Sequence, residues 1–512
     1  MAALDAGARA LVFIGFMGAG KSRAARAASA EGLEVLDADS LLEAELGMPI
    51  PDFFAAHGED EFRRREAAFG TELLAGAGGK VVALGGGSVL SDEIRAALDS
   101  HVVVWLDVDA ETAWGRVEGR RPLARAREPF ETLHAERLDV YEALADAIVP
   151  GDDDAPARAL PALLALRELP RATRMLWARS ASGEYPVYVG RGLLESGFWP
   201  LEGRRFLITD TAVGGLYGET VGPLAGAIEV APGEQTKTLA EAERVLRELT
   251  TLGATRSDHV AALGGGVVGD LAGFCAAVYQ RGIDVVQVPT SLVAQVDSAY
   301  GGKTGVDLPE AKNYVGAYHL PAAVITDPGT LRTLPPGELA AGFAEVLKTG
   351  LIAGGELWER VRSLESLDPD ALDEIVFACA RTKLGVVAAD ERDSGRRGAL
   401  NLGHTVGHAI EAATGYEVYR HGEAIGLGLL AALELSGAAE LRDEVEASLE
   451  RHGLPTRLSS EAGVDEIVEA TGRDKKRTSE GLGFVLCPRP GEVRTDQRVE
   501  PSALRAAIER LR

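Results

Sequence analysis

In the first third of the chain, short apolar runs alternate with stretches of helical spacing. ALVFIGF (10–16), VVALGGG (81–87) and HVVVWLDV (101–108) are unbroken enough to be strands buried on both faces, whereas SLLEAEL (40–46) and DEIRAALD (92–99) place apolar residues at helical intervals. ADAIVP (145–150) fits a last strand and ARALPALLALREL (157–169) a closing helix. Such alternation predicts a parallel sheet flanked by helices. The pattern lapses around Pro170–Arg174, and EYPVYVGRGLL (184–194) opens a new strand. Strand–helix alternation then continues to about Ile325, and long helical stretches take over from Pro336. The expected division is therefore 1–168, a linker 169–175, an α/β unit 176–330 and a mainly helical unit 331–512.

A chain of 512 residues exceeds what one core supports, in line with several domains. Its formal charge of −25 argues against a nucleic-acid partner, because no segregated basic patch offsets it. No apolar run is long enough to span a membrane. Cys275, Cys379 and Cys487 are scattered and form no framework, which suggests a reducing, cytoplasmic setting. Lysine is scarce. Of 53 basic residues only nine are lysine: Lys21, Lys80, Lys237, Lys303, Lys312, Lys348, Lys383, Lys475 and Lys476. Where arginine has served for generic charge, the remaining lysines mark positions that need a compact ammonium.

Gly15-Phe-Met-Gly18-Ala19-Gly20-Lys21-Ser22 follows a strand and precedes a helix, the context of a phosphate-binding loop. Its backbone N–H groups suit a polyphosphate, with Lys21 for the terminal phosphates and Ser22 for Mg²⁺. Asp37 and Asp39 stand at the end of a second strand, two apart on one face. Arg63, Gly85, Gly86, Gly87, Arg121 and Arg137 follow in order. This ordered set resembles shikimate kinase, an α/β P-loop kinase, over residues 1 to about 168. The resemblance implies ATP and Mg²⁺ at Gly15, Gly18, Ala19, Gly20, Lys21 and Ser22, with Asp37 holding the Mg²⁺ water shell. It implies Asp39 on the shikimate hydroxyl to be phosphorylated and Arg63 and Arg137 on the carboxylate. Gly85–Gly87 would back the ring, and Arg121 would meet the transferring phosphoryl group.

HVAALGGGVVGDLAGFCAAVYQRGI (259–283) runs from a strand through Gly264, Gly265 and Gly266 into a helix bearing Asp270. That turn is not the Rossmann fingerprint and by itself says little about NAD. His404 and His408 are one helical turn apart, and His421 follows a turn at Gly415. They could be a zinc pair, or one ligand and one base. A further ligand has to come from afar, and AGFAEVLKTGL (341–351) offers Glu345 with Lys348 one turn on.

From about residue 174 onward the chain resembles 3-dehydroquinate synthase, through GGGVVGDLAGF, VDSAYGGKTGVD, AEVLK, NLGHTVGHA, HGEA and RDKK. The resemblance implies a Rossmann-like NAD domain followed by a mainly helical metal domain. By it, Glu345, His404 and His421 hold Zn²⁺ (or another divalent ion such as Co²⁺), and His408 faces the substrate phosphate. Asp210, Glu234, Lys237, Gly264, Gly265, Gly266, Asp270, Thr290, Ser291, Lys303 and Lys312 would line the NAD site. Asp297, Lys303, Lys312, Asn313, Lys348, Lys383, Arg397, Asn401 and Lys475 or Lys476 would hold the sugar phosphate, and Arg281 would reach a neighbouring subunit's phosphate site, implying a homodimer. Eight of the nine lysines thus fall on motif positions, Lys80 being the exception. The implied activities are ATP-dependent phosphorylation of shikimate and conversion of 3-deoxy-D-arabino-heptulosonate 7-phosphate to 3-dehydroquinate and phosphate. Alternative expectations are a glycerol-dehydrogenase-like C-terminal half, an NTP-driven metal chaperone or switch, and a purely regulatory P-loop half.

Overall fold

The computed structural model describes residues 9–117, 126–152, 154–393, 395–475 and 483–512. It falls into two compact units that meet between Trp177 and Ala178. Arg121 and Lys476 lie outside the described residues, as does the side chain of Lys475.

Unit 1 is a parallel sheet of β1 (Leu11–Ile14), β2 (Val35–Asp37), β3 (Val81–Ala83), β4 (Val102–Asp107) and β5 (Ala147–Pro150), in the order β2-β3-β1-β4-β5. β1 and β3 are buried at every position, which is why they read as unbroken apolar runs. Asp39 departs from expectation: it lies in the first turn of helix Ala38–Leu46 rather than on the strand, while Asp37 caps that helix by accepting from Ser40 N. The expected linker runs straight into β6 (Arg174–Ser180), a strand that carries the chain across the division.

Unit 2 begins with a parallel sheet. Its strands are β7 (Gly183–Val189), β8 (Arg205–Asp210), β9 (Gly226–Val230), β10 (His259–Gly264), β11 (Asp284–Pro289) and β14 (Ala323–Thr326), in the order β7-β14-β11-β10-β8-β9. An antiparallel hairpin, β12 (Lys303–Leu308) and β13 (Ala311–Tyr318), interrupts the alternation. Helix Gly266–Val278 packs its apolar side on β10 within a core that includes Phe206, Ile208, Val260 and Leu271. The remainder is mainly helical, as expected, except for a ribbon of β15 (Phe484–Arg489) and β16 (Glu492–Gln497) that the helical pattern did not announce.

Three helices build the interior of that remainder: Pro336–Ala353, His404–Ala413 and His421–Leu435. The first and third are buried along most of their length, which accounts for their nearly all-apolar sequences. Two glycines let main chains touch. A methyl group on Gly422 would overlap the Ala341 carbonyl oxygen, and one on Gly428 the Gly403 carbonyl oxygen. Replacing Gly428 with alanine therefore forces the second and third helices apart. We expect Gly428→Ala to lower unfolding free energy by about 1–3 kcal/mol, measured by urea denaturation against wild type.

Candidate functional site

Among the described residues of unit 1, Lys21, Asp39, Arg63 and Arg137 gather around the turns at the carboxyl ends of β1 and β3, where such sheets leave a crevice. The turn after β1 curls with Gly15, Gly18 and Gly20 at positive φ, a conformation that suits glycine. Lys21 Nζ donates to the carbonyls of Gly15 (2.8 Å) and Phe16 (3.1 Å), so the ammonium is held over the loop that would cradle phosphate. Arg63 Nη1 donates to Glu66 at 2.6 Å, and Glu66 also accepts from Ser88 Oγ at 2.8 Å. Gly85 lies against Asp39 and Glu66, and Gly87 against the Arg63 guanidinium, so side chains there would collide with the polar cluster. Arg137 is buried, donates to Gly86 O at 3.3 Å and stacks over Phe16, while Tyr141 OH donates to the same carbonyl at 2.6 Å. Glu66 and Tyr141 were not singled out in the sequence. Each is an isolated polar residue on a helix and carries no pattern beyond its type.

In unit 2 the glycine turn leads from β10 into the N-terminus of helix Gly266–Val278. Gly265 faces Ser291 and Gly266 faces Ser298, leaving bare backbone N–H groups where a pyrophosphate can approach. Thr290 N donates to Gly264 O at 2.9 Å. Asp210 caps helix Thr211–Tyr217 through Ala212 N and Val213 N. Lys237 lies 2.6 Å from Asp270 and 3.7 Å from Glu234, and also donates to Asn313 Oδ1. Burial lifts the Asp270 carboxyl above its ordinary range, with Lys237 opposing. The cradle and the charges beside it fit a dinucleotide.

Glu345, Lys348, His404, His408 and His421 converge from the three buried helices. His404 Nε2 lies 3.6 Å from Glu345 Oε1, and His421 Nε2 lies 3.3 Å from the same oxygen. One ring nitrogen from each of His404, His408 and His421 comes within 4.8 Å of the others. Neither Glu345 oxygen accepts a well-directed hydrogen bond although both are buried, and Lys348 Nζ stands 2.5 Å from Oε2. A buried carboxylate that faces two imidazoles, with one ammonium beside it, is a donor set that suits a divalent cation. His404 Nδ1 is 3.2 Å from Leu402 O, which leaves Nε2 as the outward lone pair.

Burial and neighbouring charges act oppositely on the two histidines that face Glu345. Burial, reinforced by Lys348 and opposed by Glu345, pushes His404 down to about 3, so it stays neutral and able to ligate. For His421, burial is outweighed by its contacts with Glu345 and Glu411, which lift it to about 9, so its ring carries a proton at neutral pH that a cation at Nε2 would displace. Burial is likewise outweighed at Glu345, whose carboxyl Lys348 and the two histidines hold well below the usual range. Beside it, Asp297 meets Lys348 at 3.1 Å and accepts from Lys383, and these ammonium groups overcome burial to hold its carboxyl at about 2.

The other expected residues have surroundings of their own. Lys303 is half-exposed and pairs with Asp393 at 2.5 Å. Arg397 is buried and donates to the carbonyls of Glu391 and Gly301. Asn401 and Arg281 are exposed, and Arg281 has positive φ. Lys312 pairs with Glu411 at 3.0 Å rather than with another expected residue. Lys80, the one lysine off the motifs, pairs with Glu34 at 2.7 Å. Among the described residues, no helix is long and apolar enough to cross a membrane.

Comparison with known proteins agrees with this geometry. Residues 227–341 match the family model of the 3-dehydroquinate synthase N-terminal region, residues 342–477 that of its C-terminal region, and residues 17–166 that of shikimate kinase. The 3-dehydroquinate synthase of Symbiobacterium thermophilum is 43% identical over 353 residues, covering 64% of this chain and 98% of that protein. A crystal structure of 2-deoxy-scyllo-inosose synthase complexed with carbaglucose-6-phosphate, NAD⁺ and Co²⁺ is 26% identical with a TM-score of 0.59, over 66% of this chain and 99% of that one. The 2-epi-5-epi-valiolone synthase of Streptomyces hygroscopicus, with NAD⁺ and Zn²⁺ bound, is 25% identical with a TM-score of 0.57, over 65% and 99%. The chain belongs to the 3-dehydroquinate synthase family, and a shikimate-kinase-like catalytic domain is fused ahead of that part.

Proposed function

We propose that the chain carries out two reactions: phosphorylation of the shikimate 3-hydroxyl by ATP in unit 1, and conversion of 3-deoxy-D-arabino-heptulosonate 7-phosphate to 3-dehydroquinate and phosphate in unit 2. The observation that carries the second is the convergence of Glu345, His404 and His421 beside the Asp297–Lys348–Lys383 cluster. A shikimate site is favoured in unit 1 because Arg63 and Arg137 border the same glycine turn as Asp39.

In unit 1, the Arg63 and Arg137 forks suit the substrate carboxylate and Asp39 suits the accepting hydroxyl. Lys21, Ser22 and the loop N–H groups would hold ATP, with Mg²⁺ at Ser22 and Asp37 and Arg121 on the transferring group. Little covalent work is left for the protein: it places two reactants and spreads positive charge over the phosphoryl oxygens.

In unit 2, Glu345, His404 and His421 would hold zinc or a similar divalent ion. Bound NAD would accept and return a hydride, and the bound cation would polarise substrate hydroxyls. Asp210, Glu234, Lys237, Thr290, Ser291 and the Gly264–Gly266 turn would bind the dinucleotide, with Asp270 near its nicotinamide. Lys348 and Lys383 keep Asp297 ionised, and a charged carboxylate between two ammonium groups can orient the hydroxyls of an anionic sugar. His408, Lys303, Lys312, Asn313, Arg397, Asn401 and Lys475 or Lys476 would complete the sugar-phosphate site. Arg281 would extend from a homodimeric partner to the same phosphate.

Three outcomes are expected. Asp39→Ala abolishes shikimate-dependent ADP formation in a coupled assay, and unchanged turnover rules out its role. His404→Ala loses both metal, read by elemental analysis, and 3-dehydroquinate formation; a fully metallated, active variant overturns the ligand assignment. During turnover of the wild-type chain no NADH accumulates, whereas net NADH from a simple polyol identifies a dehydrogenase instead.

A further inference from the structure

Glu411 belongs to none of the sets assigned above, yet it is almost wholly buried beside the metal cluster. Its two carboxylate oxygens face different groups. Oε2 lies 3.3 Å from His421 Nδ1, and Oε1 lies 3.0 Å from Lys312 Nζ on the β12–β13 hairpin. The His421 ring is thus strung between two carboxylates, with Nε2 toward Glu345 and Nδ1 toward Glu411. Lys312 is fixed on its other side by the face of Tyr416, 4.6 Å from the ring centre. The next residue, Asn313, accepts from Lys237, which in turn pairs with Asp270.

We infer that Glu411 is a positioning residue: it fixes the ring orientation and tautomer of His421 for the cation, and through Lys312 it ties the β12–β13 hairpin to the metal site. His421 can present the Nε2 lone pair only while Nδ1 keeps its hydrogen, and the Glu411 carboxylate is placed to accept that hydrogen. His404 has a neutral carbonyl in the equivalent position, so the two histidines are held by partners of different charge.

The test uses the full chain and Zn²⁺ affinity measured by competition with a chelating dye. Glu411→Gln keeps the shape and removes the charge, and should weaken Zn²⁺ binding about 10–100-fold. It should also change the visible absorption of the Co²⁺-substituted chain. A double-mutant cycle separates positioning from general damage: in a His421→Ala background the same Glu411→Gln change should cost nothing further. Affinity in Glu411→Gln within twofold of wild type, or an equal loss in both backgrounds, overturns the inference. It rests on His421 being a ligand, and the two can fail separately. If His421→Ala alone binds Zn²⁺ as wild type does, the ligand assignment fails; if it binds weakly while Glu411→Gln binds fully, only the positioning role fails.

Discussion

A carboxylate buried among helices is the constraint around which unit 2 is arranged. Glu345 is removed from water, and an uncompensated charge in that position would cost several kcal/mol. Compensation comes from Lys348 on its own helix and from the imidazoles of His404 and His421 at the starts of two others. Lys348 in turn reaches Asp297, and Asp297 reaches Lys383, so charges of alternating sign run on from Glu345. Burial and catalysis are joined here: the surroundings that make the charges costly also keep His404 neutral and Asp297 ionised.

Unit 1 meets the same problem by other means. Each oxygen of the Glu66 carboxylate accepts a hydrogen bond, one from Arg63 and one from Ser88. Of the two lysines of this unit, Lys21 is held over the glycine loop and Lys80 pairs with Glu34, whereas Arg63 and Arg137 bring their guanidinium groups to the second glycine turn. Such a division of labour follows from guanidinium geometry and ammonium compactness.

Much of this was legible in the sequence because it is periodic or punctuated. Apolar runs announced β1, β3, β4 and β10, since strands covered on both faces have no polar alternation to blur them. The glycine spacing of 15–22 and the scarcity of lysine pointed to phosphate chemistry. Other features lacked a local signal. Strand β6 starts inside what read as a linker, and the β15–β16 ribbon is partly exposed, with irregular register that weakens alternation. Asp39 fell on a helix because Asp37 caps it, ending the strand two residues early. Glu411 was invisible because a single glutamate in a helical run resembles any solvated residue; only tertiary packing reveals that its carboxylate is enclosed. The Asp393 partner of Lys303 and the Gly301 partner of Arg397 likewise lie far along the chain.

Gly422 and Gly428 bring main chain against main chain next to His421 and His404. The width of the cage is thereby set by helix backbones, whereas its chemical hardness is set by the side chains that line it. These two properties are separable. On the proposed assignment, exchanging an imidazole for a thiolate or a carboxylate would change the donor chemistry without altering these backbone contacts.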